Sequence, residues 1–372
     1  MIKRVVLTGG PGSGKTTVLE NIVKVFESQG LKVVVVPETA TEVINAGIKG
    51  FGDEPIDMLD FQELIMRLQL AKEDVYDRAV EMYLNKYPDK DVLVVYDRGT
   101  IDNTAYINKE EFDEVLNRLD NVKSYSELMN KYDLVLNLVG RRDFYTTENN
   151  KARSENVDSA LELGERTLKS WFGHEKIRII LPRDSVEEKI NETLNYLNQL
   201  FDKKQVKRQQ KYLVDLAESD IAEIVSIGKV ANIEQAYLVS DDDIEKRIRK
   251  VKFNDSYSYR LTVYKILSSG EKVLVSEKVI DKKVYDSLME FKNPKTKVIV
   301  KDRYYFSYEG TYMYIDIFGN DREFGILEVN VGEDEKVMIP DNLCVLEDVS
   351  SNVSYQNSYI SRIEKGWCLK KW

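Results

Sequence analysis

The sequence predicts an α/β domain, a parallel sheet sandwiched between helices, followed by an α+β domain built on antiparallel strands. Three observations predict it. Short, nearly all-apolar runs alternate with amphipathic stretches through the first 200 or so residues. A glycine-rich segment, "LTGGPGSGKTT", joins the first apolar run to the first amphipathic stretch. After about Phe201 the texture changes to long runs rich in Tyr, Val, Ile and Thr, punctuated by turn signals.

The apolar runs are "KRVVLT", "KVVVVP", "DVLVVY", "DLVLNLV" and "IRIIL". Strands of a parallel sheet covered on both faces read this way. Between them lie helical patterns such as "KTTVLENIVKVFESQ", closed by Gly30, and "DMLDFQELIMRLQLAKEDVYDRAVEMYL". Strands alternating with helices give an open sheet that binds ligands at the carboxyl ends of its strands. The polar, basic "DKKQVKRQQ" suits a linker, which sets domain boundaries at 1–202 and 203–372. Beyond it, "NIEQAYLV", "SYRLTVYKIL", "KVLVSEKVI", "TKVIVKDRYYFSY", "TYMYIDIF" and "FGILEVNV" read as strands, with turns at "SSGEK" and "YEGT".

Composition narrows the class. A chain of 372 residues with 42% hydrophobic content has room for two domains with real cores. No apolar run approaches the roughly 20 residues needed to span a bilayer. "MIKRVVLTGG" runs straight into a strand, which predicts no secretory signal. Cys344 and Cys368 are too few for a disulfide framework and lack metal-site spacing. These features predict a cytoplasmic protein. The formal charge of −10 sits wholly in the first half, since the residues from Lys203 onward carry 28 basic and 28 acidic groups. That balance argues against a general nucleic-acid binder, which carries a net basic face.

Gly9, Gly10, Pro11, Gly12, Ser13, Gly14, Lys15 and Thr16, followed by Thr17, fit the G-x-x-x-x-G-K-[ST] Walker A loop between a strand and a helix. Glycines let backbone N–H groups converge on phosphate, and the helix N-terminus adds positive potential. The expected ligands are ATP or GTP with Mg²⁺, Lys15 reaching the β- and γ-phosphates and the Thr16 hydroxyl joining the metal shell. Asp97 and Arg98 end the third strand. Asp97 stands where the second Mg²⁺ partner is needed, and Arg98 could hold an anionic acceptor. Glu38 ends the second strand, where it serves either as general base for an attacking hydroxyl or as a helix cap. Arg141, Arg142 and Arg153 follow the fourth strand in "GRRDFYTTENNKARSE", either closing over phosphates or forming a solvated basic loop. No guanine signature follows any strand, which leaves the base to stacking and backbone contacts near Arg141 and "LPRDS". Gln62 and Gln69 lie seven apart on one helix, so they point the same way, either toward a small acceptor or simply outward. His174 is the only histidine and reads as structural.

"LTGGPGSGKTT", "PETAT", "YDRGTIDNTAY" and "FYTTENNKARSE…SWFGH" resemble an AAA-type P-loop family that neighbours nicotinamide riboside kinase and nucleoside kinases. The second half resembles the CYTH domain, and the order of the two is similar to translocation defect protein 14-like ATPases. The resemblance runs from Ile2 to about Gly366. It implies a kinase-like P-loop domain, then a CYTH-like tunnel in which bases grip a triphosphate and acids hold divalent metal. The matching positions are Glu234, Arg247, Arg249, Lys265, Glu277, Lys301, Arg303, Asp316 and Glu328. Strand periodicity sends i and i+2 to one face, here the tunnel interior. The family's opening E-x-E-x-K strand is replaced by "KRQQKYL", putting Lys207, Gln209 and Lys211 inward, and Asn330 follows Glu328 where a second acid is usual. Hard divalent ions need several carboxylate oxygens. The resemblance therefore implies a tunnel for a polyphosphate, phosphorylated small molecule, nucleotide or phospholipid head group, with little metal dependence.

Three functions follow: a P-loop NTPase or kinase-like phosphotransferase, a nucleotide-regulated binding protein, and a triphosphatase in the tunnel. An AAA motor is not indicated, because no second-region arginine motif or lid domain is recognisable.

Overall fold

The structure is a computed structural model that describes residues 1–120, 124–142, 157–201, 209–268, 270, 272–319, 323–330 and 337–362. The chain divides into two units, Met1–Lys203 and Lys204–Trp372.

In the first unit, strands β1 (Ile2–Thr8), β2 (Lys32–Val36), β3 (Val92–Asp97), β4 (Leu134–Leu138) and β5 (Ile177–Ile180) form a sheet ordered β2-β3-β1-β4-β5. All four pairings are parallel. The five apolar runs are these five strands, and β4 is buried along its whole length, as a doubly covered sheet requires. Because β1 is central, with β3 on one side and β4 on the other, the chain switches direction of winding across it. Ligands bind at that switch.

Helix α1 (Lys15–Ser28) buries Val18, Ile22 and Phe26, spaced four apart, against the sheet, and Gly30 ends it with φ 85°. Helix α2 (Thr39–Asn45) follows β2 directly, and α3 (Met58–Lys86) starts at Asp57, whose side chain accepts from the Leu59 N–H at 2.8 Å. The buried stripe of α3 includes three polar residues, Gln62, Gln69 and Glu73, among its apolar ones. Glu73 is held by Lys131 at 2.6 Å and the Tyr132 hydroxyl at 2.9 Å. Helices α4 (Lys109–Arg118), α5 (Tyr125–Asn130), α6 (Val157–Ser170) and α7 (Val186–Phe201) complete the described α-helices of this unit, and Thr100–Ala105 form a 3-10 helix after β3.

The second unit holds β6 (Gln209–Asp215), α8 (Ile221–Ile227), β7 (Lys229–Tyr237), β8 (Ile244–Phe253), β9 (Ser256–Ile266), β10 (Lys272–Ile280), α9 (Lys282–Met289), β11 (Ile299–Tyr308), β12 (Thr311–Phe318), β13 (Phe324–Asn330), β14 (Cys344–Asp348) and α10 (Asn357–Ile360). Its strands make one nine-stranded antiparallel sheet ordered β10-β9-β8-β7-β11-β12-β13-β6-β14. The predicted fold class, a parallel sandwich followed by an antiparallel β domain with short helices, is the one observed. Among the described residues, no helix is long and apolar enough to cross a membrane.

Candidate functional site

The phosphate loop leaves the buried end of β1. Gly9 has φ 135°, and a Cβ there would lie 2.1 Å from the Leu138 carbonyl oxygen, so only glycine lets the loop pass β4. Lys15 Nζ donates to the Gly9 and Gly10 carbonyls at 3.0 Å each, a position from which it can transfer to phosphate oxygens. Burial, and then the neighbouring Arg98 charge, lower its pKa to about 8 despite the carboxylates of Glu38, Asp97 and Asp102.

A cavity of about 510 Å³ opens from this loop. Residues 11–17 line one part of it, while Gly9 and Gly10 shape the loop from behind. Glu38, Asp97, Arg98 and Asp102 line its middle, each from the carboxyl end of a strand or the turn that follows. Arg98 adopts a left-handed backbone (φ 69°), and its Nε donates to Glu38 Oε1 at 2.5 Å. Glu38 Oε2 accepts from the Thr41 hydroxyl at 2.8 Å. Glu38 occupies the N-cap position of α2 yet makes no side-chain capping bond, so its carboxylate is turned to the cleft. Burial would raise its pKa, but Arg98, Lys15 and Thr41 outweigh that and hold it below the ordinary value. Asp97 goes the other way, raised by burial and by the Glu38 charge, and its Oδ1 is buried with no hydrogen-bond partner. That orphan oxygen and the exposed Thr16 hydroxyl fit a Mg²⁺ ion.

Sequence reasoning missed Asp102. Buried, it accepts from the Thr8 hydroxyl at 2.8 Å, the Trp171 indole at 2.6 Å and the Gly99 N–H at 3.0 Å. These bonds fix the turn carrying Asp97 and Arg98. The available signal was its place in "DRGTID", five residues after Asp97. Also missed was the apolar wall of Ile44, Phe51, Met58, Phe61 and Ile65, where α2 meets the start of α3.

Both glutamines of α3 are buried and line the cavity, which excludes the outward-facing alternative. Gln69 Nε2 donates to the Arg98 carbonyl at 3.5 Å, and its Oε1 accepts from Asn103 at 3.3 Å. Gln62 Nε2 meets Met58 Sδ at 3.7 Å, and its Oε1 is buried without a partner. Arg141 Nη1 donates to the Arg183 carbonyl of "LPRDS" at 3.2 Å, and exposed Arg142 pairs with Asp158 at 2.6 Å. Arg153 lies outside the described residues. His174 is structural: Nδ1 accepts from the Lys176 N–H at 3.1 Å, and Nε2 donates to the Tyr132 carbonyl at 3.0 Å.

In the second unit, register decides which charges share a face. Arg249 pairs with Gln235 and Arg260, Lys301 with Ile233, Arg303 with Asp316, Tyr314 with Glu328, and Glu328 with Lys211. Cross-strand partners point the same way, so Arg247, Arg249, Lys301, Arg303, Asp316, Glu328, Gln209 and Lys211 lie on one face. Lys265 does not. It sits opposite Ile244 and is exposed on the other face, which corrects its assignment to the interior. Glu234 is corrected likewise, since it faces Lys250 and pairs with it at 2.9 Å. Lys207 lies outside the described residues.

Where the face is deepest, the cations are already matched. Asp316 accepts from Arg303 Nε at 2.7 Å and Nη2 at 2.8 Å, and also from Lys301. Glu328 accepts from Lys211 at 2.9 Å, the Tyr314 hydroxyl at 2.7 Å and Gln209. The Arg303 guanidinium lies 3.6 Å over the Tyr314 ring. Burial lowers the Lys301 pKa to about 8 against the pull of Asp316. Burial would raise both carboxyls, but Arg303 and Lys301 hold Asp316 below its ordinary value, and Lys211 with Arg303 holds Glu328 well below its own. Among the described residues, no cluster of three or more His, Cys, Asp or Glu could hold a metal ion.

Comparison with known proteins adds the following. The chain is 24% identical over 251 residues to the uncharacterized protein ycf45 of Porphyra purpurea, an alignment covering 62% of this chain and 40% of that one. The chain thus spans about 40% of the length of that relative. Among solved structures it is similar to the inorganic triphosphatase NE1496, with 20% identity, TM-score 0.32, and coverage of 44% of this chain and 98% of that one. It is also similar to PH1819 of Pyrococcus horikoshii OT3, with 17% identity, TM-score 0.27, and coverage of 34% and 80%. The AAA domain model matches residues 4–189, half of the chain. With a phosphate loop at the switch point of its parallel sheet, the chain belongs to this AAA domain family, a nucleotide-binding family of the NTPase kind.

Proposed function

We propose that the first unit transfers the terminal phosphoryl group of ATP or GTP to a hydroxyl on a small acceptor. One observation carries this reading: the cleft continues past the phosphate loop and the Glu38–Arg98 pair to a wall of apolar side chains and an amide. A hydrolase needs room only for water. Lys15 and the loop amides bind the β- and γ-phosphates. Thr16 and Asp97 would hold Mg²⁺, which would supply charge neutralisation. Glu38 accepts the acceptor's hydroxyl proton. The acceptor oxygen bonds to the γ-phosphorus as the bond from that phosphorus to the β–γ bridging oxygen breaks, its electron pair leaving with the nucleoside diphosphate. Arg98 fixes Glu38 and, through its buried Nη1, can donate to the transferring group. Arg141, which donates to the Arg183 carbonyl, completes the set as the residue that would close over the nucleotide.

The test is incubation with radiolabelled NTP and a metabolite extract, followed by chromatography. A labelled organic phosphate is expected from the wild type and not from Glu38→Gln, and labelled orthophosphate alone would overturn the reading.

A nucleotide-regulated binding protein is the second reading, and the gathering of Arg247, Arg249 and Arg260 on one face of the sheet favours it. Arg260 already pairs with Glu277 at 3.3 Å. A cluster of arginines on one face suits a phosphorylated small molecule, polyphosphate or phospholipid head group. Lys301 and Arg303, already matched by Asp316, support such a ligand less.

A further inference from the structure

We propose that the part of the cleft remote from the phosphate loop is a subsite for an uncharged ring compound, recognised through a hydrogen bond to the Gln62 side-chain carbonyl. This rests on reading the cleft as a phosphotransfer site and names the class of acceptor it takes.

Four side-chain atoms of the cavity lining are buried without a partner: Ser13 Oγ, Asp97 Oδ1, Arg98 Nη1 and Gln62 Oε1. Buried polar groups in folded proteins are nearly all paired, so orphans gathered in one cavity mark the contacts a ligand makes. Three of the four belong to the phosphate loop and the Asp97–Arg98 turn, and a nucleotide with its metal satisfies those. Gln62 is elsewhere. It lies seven residues before Gln69 on α3, and Gln69 touches the Arg98 carbonyl, which puts Gln62 about 10 Å further along the helix. At 2% exposure its carbonyl cannot turn to solvent. The two glutamines therefore do different work. Gln69, bonded at both ends of its amide, is a positioning residue for the Arg98 turn, whereas Gln62 keeps an acceptor for a ligand N–H or O–H.

The surroundings of Gln62 define the rest of the ligand. Ile44, Phe51, Met58, Phe61 and Ile65 line the same part of the cavity, and the Phe51 and Phe61 rings meet edge-on with centroids 6.3 Å apart. Among the described residues, the only cations lining the cavity are Lys15 and Arg98, and neither is on this wall. A phosphate or carboxylate placed here would be buried without a partner, so the body of the acceptor is neutral. An apolar, ring-sized body with one hydrogen-bond donor toward Gln62 and one hydroxyl toward Glu38 meets every constraint.

The test offers the full-length chain, with Mg²⁺–ADP present, matched pairs of a neutral ring compound and its ring carboxylate, uridine with orotidine and pyridoxine with 4-pyridoxic acid, with adenosine as a further neutral ring and glycerol as a ring-free control. Calorimetric titration is expected to show at least one neutral ring compound of a pair binding, its ring carboxylate binding at least about tenfold more weakly, and glycerol not binding. Gln62→Met, nearly isosteric and without the carbonyl, is expected to weaken the neutral compound about tenfold or more. The same variant titrated with Mg²⁺–ADP reports whether its fold and phosphate loop are intact. Equal or tighter binding of the ring carboxylate, unchanged affinity in folded Gln62→Met, or no neutral ring compound binding at millimolar concentration would overturn the proposal. Failure of the wild type to bind Mg²⁺–ADP would instead overturn the phosphotransfer reading, and the first titration reports that by itself.

Discussion

Arg98 donates from Nε to Glu38 Oε1 at 2.5 Å, joining the ends of two adjacent strands in the middle of the cleft. The left-handed backbone of Arg98 aims its guanidinium there, and Asp102 and Gln69 hold the turn in that conformation. A carboxylate so held is ionised and oriented before any substrate arrives.

Glu38→Gln preserves shape and removes the base. Nucleotide affinity is expected to survive while acceptor phosphorylation falls by about 10²–10⁴-fold. Because Glu38 is held below the ordinary carboxylate range, the acid limb of the wild-type rate profile should lie below that range too, and loss of rate between pH 5 and 6 would contradict the assignment.

Lys15 provides a second pH signature. Its pKa in the free protein is about 8, against 10.5 unperturbed, so near pH 8 it is about half protonated. Nucleotide phosphates favour the charged form. Binding at pH 8 should therefore take up roughly half a proton, falling toward zero below pH 7, where the amine is already charged. Calorimetry in buffers of differing ionisation enthalpy measures this uptake. Lys15→Ala should abolish both the uptake and turnover.

Asp97→Asn keeps size and removes the charge partner for the metal. The Mg²⁺ concentration for half-maximal activity should rise about 10–100-fold, with the sheet intact by circular dichroism. An unchanged Mg²⁺ requirement would show that the orphan Oδ1 serves something else.

Gly99→Ala tests the packing behind the turn. A Cβ at this position would fall 2.7 Å from the buried Trp171 ring, so a loss of about 1–3 kcal/mol is expected in urea unfolding. Activity should fall with it, since the same turn carries Asp97 and Arg98.

Asp316→Asn leaves Lys301 and Arg303 buried with a weakened partner. Removal of one member of such a group costs about 3–5 kcal/mol, to be read from the urea transition of the second unit within the full chain. The Asp316 and Glu328 pKa values lie below their unfolded values. Their contribution is therefore present above the ordinary carboxylate range and is lost as pH falls through the folded values. The wild-type unit should resist mild acid, and Asp316→Asn should show a smaller change in stability across that window.

What the sequence determined by itself was what neighbouring residues can settle. Five apolar runs specified five buried parallel strands, and "GGPGSGKTT" specified the phosphate loop, because backbone geometry there depends on glycines within the segment. The pairs Arg247–Arg249 and Lys301–Arg303 were bound to share a face, since residues two apart on a strand always do. Lys265 had no such companion. Its side depended on the register of β9 against β8, a long-range pairing that put Ile244 opposite it. The tertiary structure also separated the two glutamines, because only the approach of the Arg98 turn and Asn103 occupies one amide and leaves the other open. It likewise brought Glu38 onto Arg98, sixty residues away, and matched Lys301 and Arg303 to Asp316. Charge pairing and burial are properties of the assembled layers: a side chain's partners, and so its pKa and its remaining capacity to bind, are fixed only once the strands have taken their places.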